Sequence, residues 1–275
     1  MQPRRLLAQA GIRPKKRYGQ NFLVNPSAAR QIARLSLRDA APQTRTLEVG
    51  AGTGTLTAAL LDAGADLTAL EIDPDLVGLL RSRDDLAAAR IIEADALTFD
   101  YQTWSGGTPW LLSGNLPYNI ATPLILRLIE MEDGPGSLTV MVQKDVADRL
   151  TAAPATAAYG SLSVAVQYAM SAARAFTLAP KSFFPAPKVD SSVVRLTRRA
   201  EPAVRVRDES LFWKVVRGAF AYRRKTLVNS LALALELDRA TIARALALSN
   251  LSPELRGERL DLSHFARLAD ALAEG

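Results

Sequence analysis

The stretch Ser113-Gly114-Asn115-Leu116-Pro117-Tyr118-Asn119 brings an amide, a proline and a phenol ring close together in the chain. As plain structure it is a turn, because Asn and Pro are turn formers and Leu before Pro is held extended. As chemistry it suits an exocyclic amine such as N6 of adenine. The lone pair of that nitrogen is delocalised into the ring, which makes it a poor nucleophile. Two acceptors that grip its hydrogens draw it toward tetrahedral geometry and free the pair. The Asn115 side-chain oxygen and the Leu116 carbonyl, or that of Pro117, are the candidate acceptors. Tyr118 offers a ring for a base taken out of its helix. The chain has no Cys and one His, His264. Disulfides, thiolate nucleophiles and multi-His metal centres are therefore excluded, no metal is expected, and Ser–His–Asp catalysis would rest on His264 alone. His264 sits near an expected helix start and is given no catalytic part.

A second constellation is Leu47-Glu48-Val49-Gly50-Ala51-Gly52-Thr53-Gly54-Thr55. It follows an apolar strand-like run and opens a helix-like one, as a nucleotide-binding loop requires. Thr55 stands where the dinucleotide fingerprint needs its third glycine. An acid, Glu48, precedes the glycines, a pattern that methyltransferases use for S-adenosylmethionine. That ligand has no phosphates and carries a positive sulfonium and a positive amino group. Glu71 ends the next strand-like run, placed to accept from both ribose hydroxyls. The third run ends near Asp95, whose carboxylate can accept from the adenine amino group. The cofactor expected is S-adenosylmethionine, with Glu48, Gly50, Gly52, Glu71 and Asp95 at its site. An NAD-dependent dehydrogenase is the weaker alternative.

Positioning these groups requires a sheet whose strand ends share one edge. Apolar runs at 46–49, 67–72, 90–92, 110–113 and 138–142 alternate with helix-like segments at 56–63, 74–81, 121–130 and 144–150. Such alternation indicates an α/β fold with a parallel sheet and helices on both faces. Asn25-Pro26 predicts a capped helix start, followed by helix over 28–40. Residues 161–170 are ambiguous between helix and strand, while 176–178 and 191–196 are late strands. Beyond 201 only helical spacing appears. The expected division is a mobile basic arm (1–25), a Rossmann-like domain (26–200) and a small all-helical C-terminal domain (201–275).

The 275 residues carry a net charge of +6, distributed as +8 over 1–40, −8 over 41–180 and +6 over 181–275. Basic ends suit a polyanion such as nucleic acid. Lys15, Lys16 and Arg17 in the arm, and Arg223, Arg224 and Lys225 near Trp213, Phe220 and Tyr222, are the candidate phosphate contacts. The longest apolar runs are too short to span a membrane and no leader is evident, so a soluble cytoplasmic protein is expected. A non-enzymatic RNA-binding assembly factor is the rival of another class.

Taken together, these motifs resemble the small-subunit ribosomal RNA adenine dimethyltransferases. The resemblance covers nearly the whole chain. It includes Lys16-Arg17-Tyr18-Gly19-Gln20-Asn21-Phe22-Leu23, which is similar to the segment that closes over the cofactor in that family. Phe183-Phe184-Pro185-Ala186-Pro187-Lys188-Val189-Asp190-Ser191 resembles the family's F-x-P-x-P-K-V-x-S segment near the target base. Arg223–Leu231 and Gly257-Glu258-Arg259-Leu260 resemble its helical domain. Tyr18 stands where many relatives have Phe. The resemblance implies that Asn21, Leu23, Gly50, Glu71, Asp95 and Asn115 line the cofactor site. It implies that Asn115, Leu116, Pro117 and Tyr118 hold the target adenine, with Phe183 as a second stacking face. The implied reaction places two methyl groups on N6 of each of two adjacent adenosines near the 3′ end of 16S ribosomal RNA. The implied substrate is that RNA in a pre-ribosomal particle, and a monomer is expected. The large-subunit adenine methyltransferases of macrolide resistance share the cofactor and amine motifs, but Arg223–Leu231 matches the small-subunit family better.

Overall fold

The computed structural model describes residues 3–41, 43–222 and 224–274. Its strands, in chain order, are β1 (Phe22–Leu23), β2 (Arg45–Val49), β3 (Asp66–Glu71), β4 (Arg90–Glu93), β5 (Trp110–Asn115), β6 (Ser137–Gln143), β7 (Met170–Leu178), β8 (Phe183–Phe184) and β9 (Ser191–Arg198). A seven-stranded sheet runs β4-β3-β2-β5-β6-β9-β7. The first five strands of that order are parallel, and β9 is antiparallel to β6. Parallel strands buried on both faces read as continuous apolar runs, as Leu67–Leu70 and Leu138–Val142 do. The order reverses direction at β2, which has β3 on one side and β5 on the other. In open sheets of this kind the crevice beyond the carboxyl ends of the strands at the reversal receives the ligand. The glycine loop leaves β2 there, and Asn115 ends β5 there.

The chain forms two compact units, 1–147 with 172–198, and 148–171 with 199–275. The helical unit begins earlier than the expected 201. The ambiguous segment 161–170 is mostly the helix Ser161–Ala169, and its Val164 and Tyr168 join a core with Phe212, Leu231, Leu246 and Phe265. In the sheet unit, the predicted start at Asn25 is present: its side chain accepts from the Ala28 N–H at 3.1 Å, with Pro26 in the first turn of the helix Pro26–Ser36. That helix stops short of residue 40, and Asp39 just beyond it takes a left-handed φ of 64°.

The expected mobile arm is instead built into the fold. Pro3–Gln9 is a helix, Leu6 and Leu7 are buried, and Leu7 packs with Phe22 and Leu76. β1 pairs antiparallel with β8, bringing Leu23 opposite Phe183. Two leucines and a two-stranded ladder are sparse signals in a charged segment. Leu76 and Phe183, which complete these contacts, lie more than fifty residues away, which is why local composition reads as an arm.

Candidate active site

The loop after β2 turns through left-handed glycines. Gly54, φ 80°, caps the helix Thr55–Asp62, and a Cβ there would lie 2.6 Å from Leu86 Cδ1. Gly52, φ 59°, faces Phe22 so closely that a Cβ would meet the ring at 3.0 Å. Glu71, at the end of β3, holds this loop. Its Oε2 accepts from the Gly52 N–H at 2.8 Å, and its Oε1 accepts from Ile72 and Asp73, each at 3.0 Å. Burial pushes its pKa up, while these backbone donors pull it back. Two carboxylate oxygens offer about four acceptor sites, so at least one remains for a ligand hydroxyl.

A cavity of about 310 Å³ opens at this rim. Gly50, Gly52, Glu71, Asp95, Asn115, Leu116, Pro117 and Tyr118 line it, together with Arg17, Tyr18 and Asn21 from the N-terminal segment. Asn115 Nδ2 donates to the Asn21 carbonyl at 2.8 Å, which orients the amide and leaves Oδ1 as an acceptor. The Pro117 carbonyl accepts from both Ile120 and Ala121 at 3.1 Å as it starts the helix Ala121–Glu130. Both of its lone pairs are thereby used. The Leu116 carbonyl has no such duty among the described residues, so it is the better second acceptor of the two foreseen. The Tyr118 hydroxyl lies 3.1 Å from Ser191 Oγ, and burial pushes that phenol up, so the residue is a neutral ring at neutral pH. Asp95 Oδ1 accepts from the Leu97 N–H at 2.8 Å, fixing the loop after β4.

Beside the cavity lies a recess of about 20 Å³, lined in part by Leu23, Glu48, Gly50, Gly52 and Asn115. Glu48 is 1% exposed, and its Oε2 has no hydrogen-bond partner among the described residues. Burial pushes this carboxyl up to about 7; the Thr57 hydroxyl pulls it back in part, and the charge of Glu71 adds a smaller upward push. A buried acceptor without a donor is unfavourable unless a ligand answers it. The residues present therefore fit S-adenosylmethionine. A backbone turn that approaches closely and carboxylates at successive strand ends meet its cationic and hydroxyl groups. Among the described residues no cluster of three or more His, Asp or Glu is arranged to hold a metal ion.

Two expectations are corrected. Phe183 does not line the cavity. It is 4% exposed and packs with Leu23, Ala29, Ile32 and Met141, because β8 turns it toward the helix Pro26–Ser36. Lys15 is not free for phosphate. Its Nζ lies 2.6 Å from both Asp73 Oδ1 and Asp75 Oδ2, and Gln20 Nε2 donates to Asp73 Oδ2 at 2.9 Å. Burial pushes Asp73 up, but the bonds from Lys15 and Gln20 outweigh it and hold the carboxyl below its usual range. Lys16, Arg17, Arg224 and Lys225 are exposed, and Arg223 lies outside the described residues. Arg17 covers the Tyr18 ring at 4.6 Å from its centroid. Tyr18 and Gln20 were expected only as part of the segment that closes over the cofactor and Ser191 only as part of the segment near the target base, while Asp73 was not foreseen at the site. For Asp73 the local signal is the Asp73-Pro74 helix start, and it speaks of capping, not of a latch.

The sheet order, the glycine turn at its reversal and the acceptors across the cavity define a Rossmann-like methyltransferase with a helical C-terminal unit. The sequence profile of the ribosomal RNA adenine dimethylases matches residues 11–262, and the chain belongs to that family. It is 40% identical to ribosomal RNA small subunit methyltransferase A of Lactococcus lactis, over 94% of this chain and 90% of that one. Among solved structures it is similar to the 23S rRNA methyltransferase ErmE, with a TM-score of 0.72 and 25% identity over 92% of this chain and all of that one. It shares its fold with a dimethyladenosine transferase from Plasmodium falciparum, at a TM-score of 0.70 and 23% identity over 90% of this chain and 95% of that one.

Proposed function

We propose that this chain transfers methyl groups from S-adenosylmethionine to N6 of adenosines in small-subunit ribosomal RNA, two methyls on each of two adjacent adenosines near the 3′ end of the 16S molecule. The observation that carries this reading is the acceptor pair at the cavity rim. Asn115 is anchored through its nitrogen to Asn21, and Pro117 is spent on the helix start, so Asn115 Oδ1 and the Leu116 carbonyl remain. When bound, S-adenosylmethionine supplies an electrophilic methyl carbon on a positively charged sulfur. Asn115 and Leu116 accept the two amine hydrogens and turn the N6 lone pair out of conjugation toward that carbon. Tyr118 offers its face to the extruded base. Asn21, Leu23, Glu48, Gly50, Gly52, Glu71 and Asp95 would hold the cofactor. Exposed Lys16, Arg17, Arg224 and Lys225 would meet phosphates.

The small-subunit relative supports the choice of RNA, and a pre-ribosomal particle is the substrate form we propose. Among the described residues no helix is long and apolar enough to cross a membrane. Action in the cytoplasm, as a monomer, is part of the proposal, and the ribosomal RNA relative supports the compartment. Incubation with labelled cofactor and immature small subunits is expected to yield N6,N6-dimethyladenosine. Its absence refutes the reading. The likeness to ErmE supplies the second arm of the test: methylation of large-subunit RNA with small subunits untouched would assign the chain to that substrate.

A further inference from the structure

Two arginines of the sheet unit, both at the C-terminal end of one helix, each clamp three backbone carbonyls. The helix is Ala121–Glu130, which begins at the Asn115–Tyr118 turn. Near its C-terminal end, Arg198 from β9 donates to three carbonyls, Leu128 at 2.9 Å, Pro135 at 3.1 Å and Ile129 at 3.3 Å. These are orphan carbonyls of a helix end and the turn after it, so this clamp is a cap. Arg127 lies in the last turn of the helix itself and reaches the loop that follows β4. Its Nη1 donates to the Leu97 carbonyl at 2.7 Å and to that of Ala96 at 3.1 Å, and its Nη2 donates to Phe99 at 2.8 Å. Its guanidinium lies 4.9 Å from the centroid of the Tyr101 ring, and the Tyr101 hydroxyl donates to the same Ala96 carbonyl at 2.7 Å.

The loop so gripped is the cavity wall that follows β4. Asp95, Ala96 and Leu97 line the cavity, and the Asp95 carboxylate is oriented by the Leu97 N–H, in a residue whose carbonyl Arg127 holds. The same helix carries the Asn115–Tyr118 turn at its start through the Pro117 carbonyl. One planar cation therefore ties the adenine side of the cavity to the element that presents the target-amine acceptors. Only a fork of fixed geometry spans three carbonyls while stacking on a ring, and an ammonium does not.

We infer that Arg127 is a positioning residue that sets the cofactor-adenine wall, Asp95 to Leu97, in register with the Asn115–Tyr118 turn. The inference rests on the proposed reading of that wall as the adenine side of the S-adenosylmethionine site. Arg198 provides the matched control, because it too clamps three carbonyls, but those of Leu128, Ile129 and Pro135 lie outside the cavity lining, whereas Ala96 and Leu97, held by Arg127, line it.

The test compares wild type, R127K and R198K as full-length chains by thermal unfolding, by equilibrium binding of S-adenosylmethionine, and by steady-state kinetics on small subunits. Both variants are expected to unfold at lower temperature. Only R127K is expected to weaken cofactor binding, by about tenfold, with a matching rise in the KM for cofactor and kcat at saturation within about twofold. If R127K binds cofactor no more weakly than R198K, Arg127 is structural only and the inference is overturned. If R127K loses kcat with cofactor affinity intact, the wall is set by other contacts and the inference is equally overturned. Failure of the wild type itself to bind S-adenosylmethionine refutes the cofactor reading on which the inference stands, an outcome distinct from the other two.

Discussion

Replacing Glu48 with Gln exchanges stability against cofactor binding, and the size of the exchange follows from burial. The carboxyl is 1% exposed, Oε2 is unpaired, and its pKa is pushed up from 4.5 to about 7. Below the unfolded value both states hold the proton and nothing is lost. Between the two values the folded chain keeps a proton that the unfolded chain has released, so stability falls as pH rises. Above the folded value the loss is complete, about 3 kcal/mol at roughly 1.4 kcal/mol for each pH unit between them. Gln is isosteric with the protonated acid and removes this dependence. E48Q is therefore expected to exceed wild type by about 1 kcal/mol near pH 5.5 and by about 3 kcal/mol near pH 8.5. Urea unfolding curves at the two pH values measure the gap. In parallel, E48Q should bind the cationic cofactor more weakly at the higher pH, because the recess has lost its only negative charge among the residues lining it. A stability gap that does not widen with pH, or undiminished cofactor affinity in E48Q, refutes the reasoning.

Asn115→Ala removes one of two acceptors from the reacting amine and is expected to lower kcat by about 10²–10³, the scale of losing one preorganised polar group at a reacting centre; single-turnover methylation on small subunits measures it, and a kcat within threefold of wild type would contradict the assigned role. Gly114→Ala would put a Cβ 2.6 Å from the Val49 carbonyl oxygen and 3.1 Å from Leu116, where β5 passes the β2 loop. Overpacking against backbone is expected to cost about 1–3 kcal/mol, read from urea midpoints. Lys15→Met releases the latch on Asp73 and Asp75 and is expected to speed tryptic cleavage after Lys16 and Arg17 several-fold; equal digestion would show that β1 pairing alone holds the segment. Neutralising Arg224 and Lys225 together should reduce the salt slope of RNA binding by about two, and an unchanged slope places the RNA elsewhere.

Several features were legible in the residues because they are local. Strand and helix alternation, the glycine turn, and the sequence of Glu71, Asp95 and Asn115 at strand ends each depend on neighbours within a few positions, and periodicity reports such neighbours directly. Parallel strands then bring those ends to one edge, so the order of motifs in the chain already implied a shared site. The Asn25 cap was legible for the same reason: its acceptor and donor are three residues apart.

The rest was decided by groups that meet only after the chain has folded. Lys15 finds its acceptors 58 and 60 residues further on, and a basic segment carries no record of which acids it will face. Phe183 belongs to a motif near the site, yet a period of two along β8 sends its ring into the core and leaves Phe184 on the other face. The choice of the Leu116 carbonyl over that of Pro117 turns on where the next helix begins. Residues 148–171 join the helical unit because Ala152, Tyr159, Val164 and Tyr168 complete an apolar core whose other buried members lie beyond residue 210. Sequence determines what each residue can donate, accept or bury. Which of those capacities is used depends on long-range packing, since a side chain has only one set of neighbours in the folded state.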